Sequence, residues 1–357
     1  MIQSMLNERQ VPVIAATDAE AMKQAQAEYR ELLCREEYGR PLPEPEELSF
    51  EVLPTPKGDQ RFAAGLATLS TVICHAVIEG KEFSFPFQTL IPNAPGKYPF
   101  FVHMDFADGL PVKYTPAEEI VQRGFALFHV FYQNVTSDNV DFSNGLAGVL
   151  YDDPDVFHRA PDAPGKIQMW AWANMRVMDY AKTLDCLDFE KSAVIGHSRL
   201  GKTALVTGML DERFRYVIAN NSGCSGDAMT RGKVGEQISN ITKNFPHWFC
   251  PNYYQYTDHQ TLPFDQHQLI AMSAPRTVFC GAAKEDTWAD PDSQFLSCVA
   301  ATKAWECFGK KGLIAPDRLP EAGDTFHEGS IRYHLRAGTH YLSRIDWNFY
   351  MDSILAD

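Results

Sequence analysis

Residues 192–205 read Ser-Ala-Val-Ile-Gly-His-Ser-Arg-Leu-Gly-Lys-Thr-Ala-Leu, an apolar run that leads through a Gly-His-Ser turn into a second apolar stretch. The pattern predicts a buried strand, a tight turn and a helix, with Ser198 at the turn. Gly196, two residues before Ser198, supplies the small residue that this turn requires. Such a turn lifts a hydroxyl above a sheet and points a helix N-terminus at it, so that backbone N–H groups can hold a developing oxyanion. Ser198 is therefore a candidate nucleophile.

The stretch departs from the usual G-x-S-x-G pattern of nucleophilic serines in one position. Leu200 stands where the second glycine is expected, and the glycine follows one residue later, at Gly201. A serine that only caps a helix would give a similar local sequence. Further residues are needed to support catalysis.

The sequence around this turn alternates between short apolar runs and helical stretches. The apolar runs lie at 99–104, 126–132, 192–195, 216–220 and 277–280, and the helical stretches at 116–122, 166–182, 201–210 and 291–308. Buried strands that alternate with helices indicate βαβ units and a parallel sheet covered on both faces. We therefore predict an α/β fold, a three-layer sandwich with a mostly parallel central sheet.

The N-terminal third shows a different pattern of apolar and polar residues. Residues 48–91 alternate apolar and polar side chains and predict antiparallel strands with a turn at Glu79-Gly80. Residues 18–38 predict a helix with Asp18 as its N-cap and Gly39 as its stop, and a Pro-rich segment follows. We expect residues 1–45 to form a helical and Pro-rich lead-in and residues 46–357 to form one catalytic domain.

Composition and charge argue against several classes of partner. The 357 residues carry 32 Lys and Arg against 46 Asp and Glu, for a formal net charge of −14, which disfavours nucleic acid and anionic membranes as partners. No apolar stretch approaches the roughly 20 residues that span a bilayer. The N-terminus lacks the pattern of a signal peptide, which predicts a cytoplasmic location; secretion is the alternative if a signal was removed. The eight cysteines are scattered and predict reduced thiols, and no cysteine and histidine spacing indicates a metal site.

A base and an orienting acid follow Ser198 in the order typical of α/β-hydrolases. Asp286 and Glu285 come just after the apolar run 277–280, where the acid of that fold is expected. His340 lies in a Gly-containing loop after the run 331–335 and before a final predicted helix. The three elements together favour a serine hydrolase.

With these residues aligned, the chain resembles the glucuronoyl esterases of carbohydrate esterase family fifteen, and in particular their bacterial branch. The resemblance covers residues 28–357. It is carried by five segments: Gly-His-Ser-Arg-Leu-Gly-Lys at 196–202, Asn-Phe-Pro-His-Trp-Phe-Cys-Pro-Asn at 244–252, Asp-Gln-His-Gln-Leu at 265–269, Asp-Thr-Trp-Ala-Asp-Pro at 286–291 and Gly-Thr-His at 338–340.

The resemblance implies the catalytic roles. Ser198 matches the nucleophile, His340 the base, and Arg199 an arginine that helps to stabilise the oxyanion. A guanidinium adds a full charge where backbone N–H groups supply partial ones. A backbone N–H after Ser198 and the loop that follows the strand ending in His103-Met-Asp-Phe106 are further candidate contributors to the oxyanion hole.

The acid differs from part of the family. Some members carry a Glu at the position of Asn221, and an Asn cannot hold a negative charge against an imidazolium. The chain is therefore expected to use a carboxylate after the late strand. Asp286, two residues before Trp288, is preferred, and Glu285 is the alternative.

The resemblance also implies a sugar site. Lys202 and Glu236 match ligands of uronate hydroxyls, and Trp288 matches a residue that contacts the sugar ring. The implied substrate is a glucuronate ester or a xylan-derived oligosaccharide, such as the (4-O-methyl-)glucuronoyl ester that links xylan to lignin alcohols, and no cofactor or metal is required. An acetyl-xylan or other carbohydrate acetyl esterase on the same fold is the first alternative, and an inactive protein that binds sugar acids is the second.

Overall fold

The computed structural model of the chain describes residues 1–54, 63–257 and 259–357. Residues 55–62, which belong to the stretch predicted as antiparallel strands, lie outside the described residues. The strands of the described residues are β1 Glu47–Val52, β2 Ala67–Ile78, β3 Lys81–Pro92, β4 Tyr98–Asp105, β5 Ala126–Phe131, β6 Leu187–His197, β7 Tyr216–Asn220, β8 Thr277–Ala283, β9 Thr325–Phe326 and β10 Ile331–Arg336. The α-helices are α1 Ile2–Glu8, α2 Ala19–Leu33, α3 Ala117–Gln122, α4 Gly145–Leu150, α5 Lys166–Ala181, α6 Arg199–Leu210, α7 Ile238–Asn244, α8 Gln266–Ala271, α9 Pro291–Glu306 and α10 Arg344–Ala356.

All of these strands belong to one sheet, in the order β1-β2-β3-β5-β4-β6-β7-β8-β10-β9. From β5 to β10 every pairing is parallel. The N-terminal strands β1, β2 and β3 pair antiparallel and join the sheet through β5. The prediction of a mostly parallel sheet with antiparallel strands at its N-terminal side is confirmed.

Side chains on the two faces of the sheet belong to two separate apolar clusters. Phe100 and Val102 of β4 belong to the larger cluster, together with residues of α5, α6 and α9. Phe101, between them in sequence, belongs to the second cluster, with residues of α3 and α10. Successive strand residues point to opposite faces, so both faces of the sheet are buried and the strands read as continuous apolar runs. This is the expected three-layer sandwich.

Local sequence signals account for several element boundaries. The Asp18 side chain accepts a hydrogen bond from the Ala21 N–H at 2.9 Å and so caps α2 as predicted. The hairpin between β2 and β3 turns at Glu79 and Gly80, with φ values of 51° and 73°, which fits the primed turns that suit the twist of a hairpin.

None of the helices in the described ranges has the length and the apolar composition that a membrane span requires. The division of the chain at residue 45 stays a prediction.

A buried carboxyl group lies where the lead-in packs on the core. Glu37, in the π-helical turn Cys34–Tyr38 that continues α2, is fully buried, and both of its oxygens accept from Gln266 Nε2 at 3.1 and 3.2 Å. Burial raises the pKa of Glu37 to about 8, although the hydrogen bond from Gln266 opposes the shift. The native state therefore keeps a proton on Glu37 that the unfolded chain loses near pH 4.5.

We expect Glu37→Gln to remove part of the pH dependence of stability. Between pH 4.5 and about 8 the native state binds more protons at Glu37 than the unfolded state does, so this group makes the free energy of unfolding fall as the pH rises. Glutamine does not titrate. Urea unfolding at pH 5 and pH 8 is therefore expected to show the variant gaining stability relative to wild type at the higher pH. An equal difference at both values would contradict a protonated Glu37.

Candidate active site

The turn at Ser198 joins β6 to α6 in a backbone conformation that few residues adopt. Ser198 has φ 58° and ψ −126°, and its N–H donates to Asn220 O at 2.9 Å. A Cβ at Gly196 would lie 2.0 Å from Leu200 O, so this position requires glycine. The strain at Ser198 and the close approach at Gly196 are those of a nucleophile elbow. The helix begins at Arg199, so the glycine at 201 lies inside its first turn.

Asp286 and His340 meet at the carboxyl edge of the sheet. Asp286 follows β8 and His340 follows β10, and these strands are parallel neighbours. His340 Nδ1 lies 2.6 Å from Asp286 Oδ2. Since an ionised carboxylate only accepts, Nδ1 carries the proton and Nε2 is left with its lone pair. The Asp286 side chain is 5% exposed and that of His340 is 43% exposed, so the ring can reach a substrate.

Burial alone would raise the pKa of Asp286. The hydrogen bond and charge of His340 and a hydrogen bond from Asn221 outweigh burial and hold the pKa of Asp286 below its ordinary value. Asp286 is thus ionised at neutral pH. Glu285 is exposed, and its backbone N–H donates to Gly338 O at 3.0 Å. Of the two candidate acids, the structure brings Asp286 to His340.

Asn221 supports Asp286 from the end of β7. Its Nδ2 donates to Asp286 Oδ2 at 2.7 Å, the same oxygen that His340 contacts. The Asn221 backbone has φ 47° and its N–H donates to Gly281 O at 2.7 Å. An asparagine at this position can form hydrogen bonds, although it cannot hold a negative charge. The structure shows that the amide is a donor to the acid that is present.

His197, next to Ser198, packs under the candidate base. Its ring centroid lies 4.5 Å from that of His340 and 5.7 Å from that of Tyr114. Burial and the neighbouring His340 lower the pKa of His197 to about 3, so its ring is neutral. Its Nδ1 lies 2.7 Å from Asn220 Oδ1. A neutral ring here supports His340 without adding charge.

Arg199 leaves the first turn of α6 and contacts a buried carboxylate. Its Nη1 hydrogen-bonds Asp138, in the loop after β5. The guanidinium also lies 4.5 Å from the ring centroid of Trp248. The Trp248 side chain is itself buried. Asp138 was not identified from the sequence, because nothing nearby in the chain connects it with Arg199.

The contribution of the loop after β4 to the oxyanion hole stays a prediction, and the first backbone N–H group of that loop already has a partner. The Phe106 N–H donates to Asp105 Oδ1 at 2.6 Å and is therefore occupied. The first N–H groups of α6, at Arg199 and Leu200, have no partner within the helix. These groups and the Arg199 side chain are the donors closest in sequence to Ser198.

The three predicted sugar ligands lie on different segments of the site. Lys202 is buried, and its Nζ donates to Ser222 O at 2.5 Å. Burial lowers the pKa of Lys202, and the charge of Glu236 opposes this shift most strongly. The Glu236 N–H donates to Trp288 O at 3.0 Å, which joins their loops. Trp288 is 55% exposed.

Gly235 lets the loop that carries Glu236 lie close to the loop that carries Trp288. Gly235 has φ 70°, and a Cβ there would lie 2.5 Å from Trp288 O and 2.6 Å from Thr287 O. Only glycine fits both the conformation and the gap. Lys233 Nζ adds a hydrogen bond to Trp288 O at 3.1 Å.

Within the described part of the chain, no group of three or more His, Cys, Asp or Glu side chains could hold a metal ion.

Carbohydrate esterases are among the known proteins that are similar to this chain. A family model described as glucuronyl esterase, fungi, matches residues 75–309. Carbohydrate esterase MZ0003, from an unknown prokaryotic organism, is 38% identical over 236 residues, which are 66% of this chain and 54% of that protein. The 4-O-methyl-glucuronoyl methylesterase of Hypocrea jecorina is 31% identical over 242 residues, which are 64% of this chain and 49% of that protein. The chain thus spans about half the length of the curated relatives it matches.

The similarity in structure extends over almost the whole chain. A solved structure of a glucuronoyl esterase from Solibacter usitatus superposes with a TM-score of 0.85 and 29% identity, covering 97% of both chains. Its α/β-hydrolase fold agrees with the predicted fold class. The family model covers well over half of this sequence. The chain belongs to the glucuronyl esterase family, carbohydrate esterase family fifteen.

Proposed function

We propose that this protein is a serine esterase that hydrolyses (4-O-methyl-)glucuronoyl esters. The observation that carries the proposal is the 2.6 Å contact between His340 Nδ1 and Asp286 Oδ2, next to the strained turn at Ser198. A base oriented by a buried acid beside an elbow serine is the arrangement of acyl-transfer enzymes. The names of the relatives, a 4-O-methyl-glucuronoyl methylesterase and a glucuronoyl esterase, support the choice of acyl group.

In the proposed mechanism His340 Nε2 takes the proton of Ser198 as the hydroxyl attacks the ester carbonyl. The first N–H groups of α6 and the Arg199 side chain hold the oxyanion. The alcohol leaves with the proton from His340, and a water activated by the same ring hydrolyses the acyl-enzyme. Asp286 fixes the tautomer of His340 and stabilises its charged form.

The sugar end of the substrate is proposed to lie between Lys202, Glu236 and Trp288. A buried ammonium and a carboxylate suit hydroxyl groups, and an exposed indole suits the apolar face of a pyranose ring. A small acetyl group needs none of these contacts. The xylan–lignin ester is the proposed natural context, and a cytoplasmic location stays a prediction.

The proposal predicts a preference that depends on Lys202. Benzyl glucuronate and methyl glucuronate are expected to be hydrolysed with higher kcat/KM than p-nitrophenyl acetate. Lys202→Met is expected to lower kcat/KM for the glucuronate esters by about 10- to 100-fold, since it removes a buried charged hydrogen-bond donor. The acetate ester should be affected much less.

The same assay separates the alternatives. Activity on acetate with no glucuronate preference would indicate an acetyl esterase of this fold. A lack of turnover combined with saturable binding of glucuronic acid would indicate an inactive protein that binds sugar acids.

A further inference from the structure

Both oxygens of the buried Asp138 carboxylate accept hydrogen bonds from surrounding side chains. Its side chain is 7% exposed, and four donors converge on its two oxygens. Oδ1 accepts from Trp248 Nε1 at 2.7 Å and from His247 Nε2 at 2.9 Å. Oδ2 accepts from the Tyr132 hydroxyl at 3.0 Å and from Arg199 Nη1. Such a buried carboxylate has a fixed position and a fixed set of partners.

The charges in this group are also fixed. Burial would raise the pKa of Asp138, but the hydrogen bond from His247, the charge of Arg199 and the hydrogen bond from Trp248 outweigh it and hold the pKa well below its usual range. Burial lowers the pKa of His247, so that ring is neutral and donates through Nε2. Arg199 is therefore the one cation that contacts the Asp138 carboxylate in the described residues.

Asp138 also holds the surface against which Arg199 packs. The guanidinium lies 4.5 Å from the ring centroid of Trp248, and 5.3 and 5.7 Å from those of Phe245 and Phe106. Trp248 stacks on Phe245 at 3.9 Å with an interplanar angle of 2°. The Trp248 indole is hydrogen-bonded to Asp138. One carboxylate therefore pairs with the charge of the guanidinium and also holds the ring on which the guanidinium stacks.

We infer that Asp138 is a positioning residue, which holds the Arg199 guanidinium in place for the oxyanion of the proposed esterase reaction. The inference rests on the proposed function. A free arginine side chain samples many rotamers, and an oxyanion donor is effective only when it is already in place. With Nη1 committed to Asp138, the second terminal nitrogen of the guanidinium is left for the developing charge.

The loop that carries Asp138 has anchors of its own. Lys166 Nζ donates to Ser137 O at 2.8 Å and to Asp141 O at 2.7 Å, on either side of Asp138. The Ser137 N–H donates to Asn144 Oδ1 at 3.2 Å. We therefore expect Asp138→Asn to leave the loop folded while it weakens the hold on Arg199.

A double-mutant cycle tests the inference. Asp138→Asn, Arg199→Met and the double variant are compared with wild type in two assays, the hydrolysis of benzyl glucuronate and the rate at which a fluorophosphonate labels Ser198. The label forms a tetrahedral adduct whose oxygen occupies the oxyanion hole, whatever acyl group the enzyme prefers. Asp138→Asn is expected to lower both rates by about 10- to 100-fold, mainly through kcat in the hydrolysis assay. In the Arg199→Met background it should have almost no further effect, because Asp138 acts through Arg199.

Asp179→Asn is the matched control. Asp179 contacts Arg213 at 2.5 Å and Arg176 at 3.0 Å, and it lies at the end of α5, away from the residues around Ser198. It should leave both rates unchanged. Asp138→Glu serves as a second variant, expected to fold and to lower kcat with KM almost unchanged, should Asp138→Asn not fold.

The outcomes separate this inference from the proposed function. The positioning role would be overturned if Asp138→Asn lowered the rates by the same factor in the wild-type and Arg199→Met backgrounds, or if it did not lower them in the wild-type background. It would also be overturned if Ser198 of the wild-type protein were not labelled. Another result would be that Asp138→Asn lowers the rate in the labelling assay only when Arg199 is present, while the wild type hydrolyses no glucuronate ester. That result would uphold the positioning role and reject the proposed substrate.

Discussion

Ser198→Ala is expected to lower kcat on benzyl glucuronate by at least about 10⁴-fold, with KM little changed. The hydroxyl is the only group at the elbow that the proposed mechanism uses to form the acyl-enzyme. Alanine keeps the backbone N–H groups of α6 and the Arg199 side chain, so substrate should still bind. Steady-state kinetics on the purified variant, together with the loss of fluorophosphonate labelling, measure this effect.

A serine elsewhere in the sheet provides the control for that change. Ser84, on β3, is exposed, and its hydroxyl lies 2.8 Å from His75 Nδ1. Ser84→Ala should keep wild-type activity and labelling. Substantial hydrolysis by Ser198→Ala would remove Ser198 from the mechanism and with it the esterase proposal in its present form.

Asp286→Asn is expected to lower kcat by about 10³-fold or more. Two donors, His340 Nδ1 and Asn221 Nδ2, converge on Oδ2, so the amide oxygen of the new side chain should face them. The variant would then keep the position of His340 and lose the negative charge that stabilises its charged form, together with the long hydrogen bond of 3.4 Å that Oδ1 accepts from the Ala289 N–H. The measured loss should therefore report mainly the electrostatic part of the role of Asp286.

Glu285→Gln is the matched control, because it neutralises the adjacent carboxylate. Glu285 is exposed, and its side chain should not affect turnover. A near-normal rate for Asp286→Asn combined with a large loss for Glu285→Gln would move the acid to Glu285. Losses of similar size in both variants would point to a general effect of charge in this loop.

Several elements followed from local sequence alone. The strand–turn–helix at Ser198, the hairpin at Glu79-Gly80 and the N-cap at Asp18 each depend on a few adjacent residues, and each is present as predicted. The apolar runs also gave the parallel strands to within a few residues, apart from β6, which begins earlier than its apolar core. Helices α1, α4, α7 and α8 were not predicted; each is short and follows no long periodic pattern.

The remaining features of the site depend on contacts between distant parts of the chain. Asp286 and Glu285 are neighbours in sequence, and only the path of the chain after β8 decides which of them contacts His340. Asn221 donates to Asp286 across 65 residues, and Asp138 pairs with Arg199 across 61. Sequence by itself determined the fold class and the candidate nucleophile, base and acids, because apolar periodicity and turn chemistry act over a few residues. The tertiary structure decided which carboxylates contact His340 and Arg199, because the strand order β7-β8-β10 and the loop after β5 bring those side chains together.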